Sequence, residues 1–409
     1  MQFDKHYLPN GLEIVAECNP EAYSSAVGFF VRTGARDETD AESGVSHFLE
    51  HMVFKGTPTR SAEDVNREFD EIGAHYNACT NEESTIYYAN VLPEYLDRAV
   101  GLLADIMRPS LREADFETEK QVILEEIHMY DDQPPFGADE RCRAAYFGSH
   151  PLGRSVLGTV ESITHLRVEV MRDYFARRYA PANIVLVGAG RVAFDHLVRL
   201  AEAHCGGWES RPVTRAMAPV EPRVPFVVIH KEIATQQYAL LMSPAPFDDA
   251  RQRYAAKLLA TVLGDDSGSR LYWELVDPGL AEHAGMHHAE YADAGAMITF
   301  LCCAPEDAAD NLLRVTELHR RAGQDAVTEA ELQQAKNKVC SRVVLAGERP
   351  RGRLFAVGID WVCRGEYRSV EDDLQAVGDV TLDDLDDLLR RYPLSPAATV
   401  TIGPLEELD

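Results

Sequence analysis

The chain has 409 residues, 45% hydrophobic and 26% charged, a composition typical of a globular protein with material for two or three domains. Its 40 lysines and arginines stand against 67 aspartates and glutamates, and the net charge of −27 argues against nonspecific nucleic-acid binding. No run approaches the roughly 18 apolar residues of a membrane-spanning helix, and no secretory signal is visible, so we expect a cytoplasmic protein without a membrane partner.

The first half of the chain alternates between the two-residue periodicity of strands and the 3.6-residue periodicity of helices. The predicted elements are a strand at 24–34, a helix at about 41–54, a hairpin at 74–80 and 84–92, helices at 93–107 and 113–132, and a strand at 183–190. Ser61 followed by Asp64 forms a capping box, which predicts the start of a further helix.

A proline-rich segment divides the chain. Residues 209–225 contain four prolines and no periodicity, and we assign the linker to 211–225. Beyond it the order of the first half returns, with a strand, a helix, a glycine-rich turn, two strands and two long helices. We therefore predict an α+β protein of two homologous domains, 1–210 and 226–409, each an antiparallel or mixed β-sheet packed with helices.

The pentapeptide HFLEH at residues 47–51 carries the strongest chemical signal in the chain. On a helix, His47, Glu50 and His51 share one face because they are spaced i, i+3 and i+4. Two neutral imidazoles one turn apart can bind one Zn²⁺, and a carboxylate beside them can take a proton from water. This is the inverted HxxEH order of zinc motifs. Chance supplies only about 0.08 such motifs in a chain of this composition, and the alternative is a helix whose histidines merely form hydrogen bonds.

A catalytic zinc ion normally has three protein ligands, so a third must come from elsewhere in the chain. The helix predicted at 113–132 is rich in acids, and its pattern alone does not choose among them. The carboxylates it offers are Glu117, Glu119, Glu125, Glu126, Asp131 and Asp132.

Three segments resemble the pitrilysin, or insulinase-like, zinc metallopeptidases, above all the short-chain branch that includes the mitochondrial processing peptidase. They are GVSHFLEHMVFKGTPTRSAEDV, GAHYNACTNEESTIYYANVLPEYLDRAVGLLADIM and ETEKQVILEEIHMYDDQP. The resemblance continues through HPLGRSVLGTVESI and, more weakly, through the second half. It implies one zinc ion per chain, held by two histidines beside a glutamate that acts as general base: His47, His51 and Glu50.

The resemblance also implies the third ligand. In the family it is a glutamate seven residues after another glutamate, which matches Glu126 after Glu119 in EKQVILEE. Glu126 would then bind zinc, and Glu119 would be a catalytic-site carboxylate that orients a histidine or tunes the site. Glu125 lies about 100° away around the helix and remains the rival third ligand.

The predicted hairpin resembles the substrate-binding edge strand of the family. An exposed strand edge can bind an extended peptide through backbone hydrogen bonds, which explains cleavage with loose sequence preference. Asn77 matches a family asparagine beside the scissile bond, and we assign it, with Ala78, to substrate binding; an ordinary strand-end residue is the alternative. Three nearby histidines match no ligand position and are interpreted as structural: His75, His128 and His150.

The second half departs from the family pattern. Members usually carry an arginine and, seven residues later, a tyrosine that reach the active site from the opposite half. The matching stretch here has Glu282 at the tyrosine position and Val276 or Asp277 near the arginine position. Losing one oxyanion donor typically costs about 10²–10³ in rate. We therefore expect a dimer, preferably a heterodimer in which a homologous chain supplies the arginine and tyrosine; a homodimer with unusual contacts or a weakened enzyme are the alternatives.

The predicted function is a zinc-dependent endopeptidase that hydrolyses peptides or unfolded polypeptide segments. The alternative is a non-catalytic binding or assembly subunit of the same family, although such subunits usually have a degraded zinc motif and this motif is intact. A thiol enzyme has little support, because the eight cysteines are scattered, form no CxxC pair and lie in no recognisable nucleophile context.

Overall fold

The structure divides into two units, and each unit includes a segment from the other half of the sequence. In the computed structural model, which describes residues 1–132 and 137–408, unit 1 comprises Met1–Ile127, Arg154–Ala216 and Leu345–Arg368, and unit 2 comprises His128–Gly153, Met217–Val344 and Ser369–Asp409. The predicted domains, 1–210 and 226–409, are continuous, whereas these units are not. Between Ala216 and Met217 the chain passes from one unit to the other inside the predicted linker. The homologous-domain boundaries themselves stay a prediction.

The strands within the described residues are β1 Gln2–Tyr7, β2 Glu13–Cys18, β3 Ser25–Val31, β4 His75–Thr80, β5 Thr85–Val91, β6 Ile184–Gly190, β7 Phe226–His230, β8 Gln237–Pro244, β9 His283–Glu290, β10 Gly295–Cys303 and β11 Ala398–Gly403. The α-helices are α1 Val45–Val53, α2 Ala62–Glu71, α3 Leu96–Ile106, α4 Glu113–Asp132, α5 Ala138–Phe147, α6 Val160–His165, α7 Val168–Arg178, α8 Phe194–Cys205, α9 Ala250–Gly264, α10 Ala308–Ala322, α11 Glu329–Gly347, α12 Pro350–Arg364, α13 Val370–Asp379 and α14 Leu382–Arg391.

Unit 1 is built on a mixed sheet in the order β1-β2-β6-β3-β5-β4, in which only β2 and β6 run parallel. The central strands β3 and β6 are buried along their whole length, as expected from their apolar sequences. Helix α12 covers one face of this sheet, and Leu354 and Val357 join its core. The helix approaches closely at Gly358, where an added Cβ would lie 2.3 Å from Cζ of Phe30. β4 forms one edge of the sheet.

The start of α1 is determined by tertiary contacts, which the helical periodicity of the sequence does not predict. The predicted helix began near residue 41, but a short 3₁₀ turn occupies Asp40–Glu42 and α1 begins at Val45. Gly44 precedes it with a φ of 89°, and a Cβ there would lie 2.5 Å from the carbonyl oxygen of Leu157. The Glu38 carboxylate accepts the backbone N–H groups of Gly44 and Ser46, each at 2.7 Å, and so caps the helix.

Unit 2 repeats the architecture with a sheet in the order β7-β11-β8-β10-β9, in which only β7 and β11 run parallel. Helix α5 packs on one face, and α9, α10 and α14 contribute to the core on the other. Two mixed sheets packed with helices confirm the predicted α+β class. None of the helices in the described residues has the length and apolarity needed to cross a membrane; the cytoplasmic location stays a prediction.

Candidate metal centre

Helices α1 and α4 are held side by side by aromatic stacking. The ring of Phe48 lies 4.6 Å from that of Phe116, at an interplanar angle of 16°, and both side chains are fully buried. Such a pair stabilises the contact beyond its buried area, by about 0.5–1.5 kcal/mol. Two turns of α4 separate Glu119 from Glu126, so both carboxylates lie on one face of the helix. The stacked rings therefore fix the histidine-bearing helix opposite these two glutamates.

Three side chains from these helices meet with the geometry of a metal site. Nε2 of His47 lies 3.8 Å from Oε2 of Glu126, and Nε2 of His51 lies 3.7 Å from the same oxygen. Among the residues that the structure describes, these three form the one group of three or more potential ligands, with all ligand atoms within 4.8 Å of one another. Tetrahedral zinc with bonds of about 2.0–2.2 Å needs neighbouring ligand atoms about 3.3–3.6 Å apart. The two histidine–glutamate distances therefore fit zinc after a contraction of a few tenths of an ångström.

The second ring nitrogen of His51, Nδ1, also has a partner. Nδ1 lies 2.9 Å from Oε1 of Glu119, while Nζ of Lys55 lies 2.6 Å from the other oxygen of that carboxylate. A proton on Nδ1, donated to Glu119, leaves a lone pair on Nε2, the nitrogen nearer to Glu126, and a metal ligand requires such a lone pair. His47 lacks this support, because its buried Nδ1 has no hydrogen-bond partner in the described ranges. Sequence reasoning missed Lys55, although it follows His51 by one helical turn.

Burial and neighbouring charges shift the pKa values of His47 and His51 in opposite directions. Burial, aided by the neighbouring His51, lowers the pKa of His47 to about 3, so His47 is neutral and able to bind metal at neutral pH. Burial acts in the same direction on His51, but the hydrogen bond to Glu119 and the charge of Glu126 outweigh it and raise its pKa. The site is open on one side, because about a quarter of the side-chain surface of both His51 and Glu126 remains exposed.

Glu50 shares the helix face of the histidines and is held by a neighbour in β4. Oγ1 of Thr80 donates a hydrogen bond to Oε2 of Glu50 at 2.5 Å. Burial raises the pKa of Glu50, against the opposing effects of the Thr80 hydrogen bond and of His51. A carboxylate with a raised pKa beside a metal site suits proton transfer near neutral pH. Sequence reasoning missed Thr80, which shares a face of β4 with Ala78 because alternate strand residues do.

The residues assigned to substrate lie on the edge strand. In β4, Asn77 pairs with Tyr88 and Ala78 with Tyr87 of β5, and β5 is its one neighbour in the sheet order. Oδ1 of Asn77 accepts the N–H of Ala78 at 2.8 Å. A peptide that needs this N–H would therefore have to displace the amide of Asn77. Asn77 is exposed, whereas Ala78 is nearly buried.

The remaining candidates are not members of the metal group. Glu125 is exposed and does not belong to the group, so the geometry favours Glu126 over its rival. Nε2 of His150 lies 3.1 Å from the carbonyl oxygen of Ala218, which suits the structural role expected of this histidine. Glu282 immediately precedes β9 in unit 2, and its N–H donates to the carbonyl of Cys302.

Comparison with known proteins identifies the family. Residues 13–160 match the model described as insulinase (peptidase family M16), and residues 165–339 match the peptidase M16 inactive domain. The chain therefore belongs to peptidase family M16, which makes it a member of a metallopeptidase family and confirms the resemblance to insulinase-like enzymes. An uncharacterized zinc protease of Mycobacterium tuberculosis is 35% identical over 97% of this chain and 92% of the relative. Another from Bacillus subtilis is 30% identical over 98% of both chains.

Solved structures share the fold at lower sequence identity. A protease from Helicobacter pylori superposes with a TM-score of 0.91, at 22% identity over 98% of this chain and 99% of the other. A Pseudomonas fluorescens structure described as a peptidase M16 inactive domain gives a TM-score of 0.92, at 16% identity over 100% of this chain and 99% of the other. Both matches support the two-sheet architecture.

Proposed function

We propose that the protein is a zinc-dependent endopeptidase that hydrolyses peptides or unfolded polypeptide segments. The observation that carries the proposal is the convergence of His47, His51 and Glu126 next to the carboxylate of Glu50. Family membership and the relatives described as zinc proteases support the choice of metal and of reaction.

The proposed reaction divides the work among five side chains. His47, His51 and Glu126 would hold one zinc ion, and Glu119 would keep His51 in the tautomer that binds it. Bound zinc would supply a Lewis acid that lowers the pKa of water and polarises the scissile carbonyl. Glu50 would take a proton from the attacking water and deliver it to the leaving amine nitrogen.

The edge strand β4 would align the substrate. An extended peptide that adds to this edge gains backbone hydrogen bonds whatever its side chains, which accounts for a broad peptide class rather than one sequence. Asn77 and Ala78 would contact the substrate backbone there, and the Asn77 amide would exchange its present bond to Ala78 for one to the peptide.

We further propose that the chain acts as the zinc-bearing subunit of a heterodimer. Glu282 and the neighbouring Val276 and Asp277 stand where family members carry a substrate-contacting tyrosine and arginine. A negative charge at the tyrosine position would oppose a developing oxyanion, so a homologous chain would supply both missing groups.

Peptide cleavage by the purified, zinc-loaded chain tests the proposal. An unstructured peptide should be cut at internal bonds, as judged by mass spectrometry, and a chelator should abolish the cleavage. A homologous chain that contains the arginine and tyrosine should raise the rate; full activity of the isolated chain would exclude the heterodimer. Zinc binding without cleavage under either condition would favour the non-catalytic binding or assembly subunit.

A further inference from the structure

Thr80 lies at the last position of β4 and contacts the carboxylate that the proposed reaction needs. Its hydroxyl donates to Oε2 of Glu50 at 2.5 Å, within the range of about 2.5–2.7 Å that is typical of O–H donors to carboxylates. Thr80 itself pairs with Thr85 of β5, so the sheet fixes its backbone. The donor therefore belongs to the strand, whereas the acceptor belongs to helix α1.

The side chains of Thr80 and Glu50 differ in conformational freedom. A β-branched threonine in a strand has few χ1 choices, so its hydroxyl stays where the strand places it. A glutamate has three rotatable side-chain bonds, and its carboxylate needs a partner to occupy one orientation. Within residues 1–132 and 137–408, no hydrogen bond to Oε1 of Glu50 is present, while Oε2 is occupied by Thr80. Oε1 is therefore the oxygen available to a proton.

We propose that Thr80 is a positioning residue: its hydroxyl holds Oε2 of Glu50 and so directs Oε1 towards the attacking water. This inference rests on the proposed function, because it requires Glu50 to act as the base. It also couples two parts of the reaction, since the strand whose edge would bind the peptide is the strand that orients the base. The distance between the bound peptide and the Glu50 carboxylate would then be set by one rigid strand, β4.

The test compares three single variants with the zinc-loaded wild type on one unstructured peptide. Thr80→Val removes the hydroxyl at nearly constant volume, and kcat should fall by about 10–100-fold because a misplaced base loses much of its effect. KM and zinc content should stay unchanged. Thr80→Ser should restore most of kcat. Thr164→Val is the matched control, because its exposed hydroxyl bonds to the carbonyl of Val160 in α6 rather than to Glu50, and it should leave kcat unchanged.

Two measurements separate positioning from other roles. If Thr80 only shaped the peptide-binding edge, Thr80→Val would raise KM at constant kcat, and this result would overturn the proposal. Wild-type kcat in that variant would overturn it equally. Thermal unfolding checks the fold, and Thr80→Ala replaces the valine variant if the latter does not fold.

A structural readout keeps the inference independent of turnover. Crystal structures of wild type and Thr80→Val should show the Glu50 carboxylate in one orientation in the former and displaced or spread over several in the latter. An unmoved Glu50 would refute the positioning role even if the enzyme is active. Conversely, a wild-type chain that binds zinc but cleaves nothing would refute the peptidase proposal alone, and the two structures would still decide whether Thr80 holds Glu50.

Discussion

Nδ1 of His51 lies 2.9 Å from Oε1 of Glu119, and Lys55 holds the other oxygen of this carboxylate at 2.6 Å. Glu119 is only 4% exposed, and although burial acts to raise its pKa, the hydrogen bonds from His51 and Lys55 hold that pKa below the ordinary value. The carboxylate is therefore ionised at neutral pH, and it fixes both the tautomer and the ring orientation of His51.

Glu119→Gln should weaken zinc binding without abolishing it. The neutral amide keeps the size of the side chain but removes the charge that strengthens the hydrogen bond to His51, and loss of such a partner typically costs about 10–100-fold in metal affinity. Competition with a chromophoric chelator measures the change. An affinity equal to that of wild type would mean that Glu119 does not support the metal site.

Glu126→Gln and Glu125→Gln form a matched pair on one helix. Glu126 lies within 4 Å of both histidines, whereas Glu125 is exposed and outside the group. Zinc content, determined by elemental analysis after gel filtration, should fall far below one ion per chain in Glu126→Gln and stay at the wild-type value in Glu125→Gln. The reverse result would assign the third ligand to Glu125.

Glu50→Gln should retain zinc and lose peptidase activity. Glu50 is not within the ligand group, so the metal should stay, whereas an amide cannot accept the proton of the attacking water. A positioned general base contributes about 10²–10⁴ in rate, and kcat should fall by that factor. Turnover at the wild-type rate with full zinc occupancy would show that Glu50 is not the base.

Arg353→Met should destabilise unit 1. Arg353 makes a bidentate ion pair with Glu17, at 2.8 and 2.5 Å, and both residues are buried. Removing one partner leaves an uncompensated buried charge, which costs about 3–5 kcal/mol. Urea unfolding measures the loss, and the double variant Glu17→Gln/Arg353→Met should recover part of it. A single-variant loss as small as that of an exposed ion pair would contradict this account.

Local sequence patterns predicted the elements but not the contacts between distant segments. The helix predicted at 113–132 has the observed bounds of α4, and the capping box of Ser61 and Asp64 is present, because both depend on neighbouring residues. The return of α12 to the sheet of unit 1 depends on contacts such as that between Gly358 and Phe30, far apart in the chain, for which local periodicity carries no signal.

The candidate site likewise combines residues that the sequence predicted with residues that it did not. The helix spacing put His47 and His51 on one face, and the family resemblance selected Glu126, but helix phase alone left Glu125 open until α1 and α4 were seen to pack together. Lys55 and Thr80 escaped prediction because each meets its partner only through that packing or through the hairpin.

We expect the buried His319 of unit 2 to make the stability of the protein fall at acidic pH. It is buried on α10, with Nε2 3.0 Å from Oγ1 of Thr299, and burial lowers its pKa to about 4. In the unfolded chain the pKa is about 6.5, so between pH 6.5 and 4 the unfolded state binds the proton and the folded state does not. Stability is therefore intact above pH 6.5 and falls by up to about 3 kcal/mol as the pH drops to 4.

His319→Gln removes this titration, so the slope of stability against pH should flatten between pH 4 and 6.5, whatever the substitution does to stability at pH 7. Urea midpoints at several pH values give the slope. His165→Gln is the control, because His165 is exposed and should leave the slope unchanged. Some slope should remain in His319→Gln, because burial also lowers the pKa of His288 to about 4. An unchanged slope in His319→Gln would mean that this histidine is not the source of the acid sensitivity.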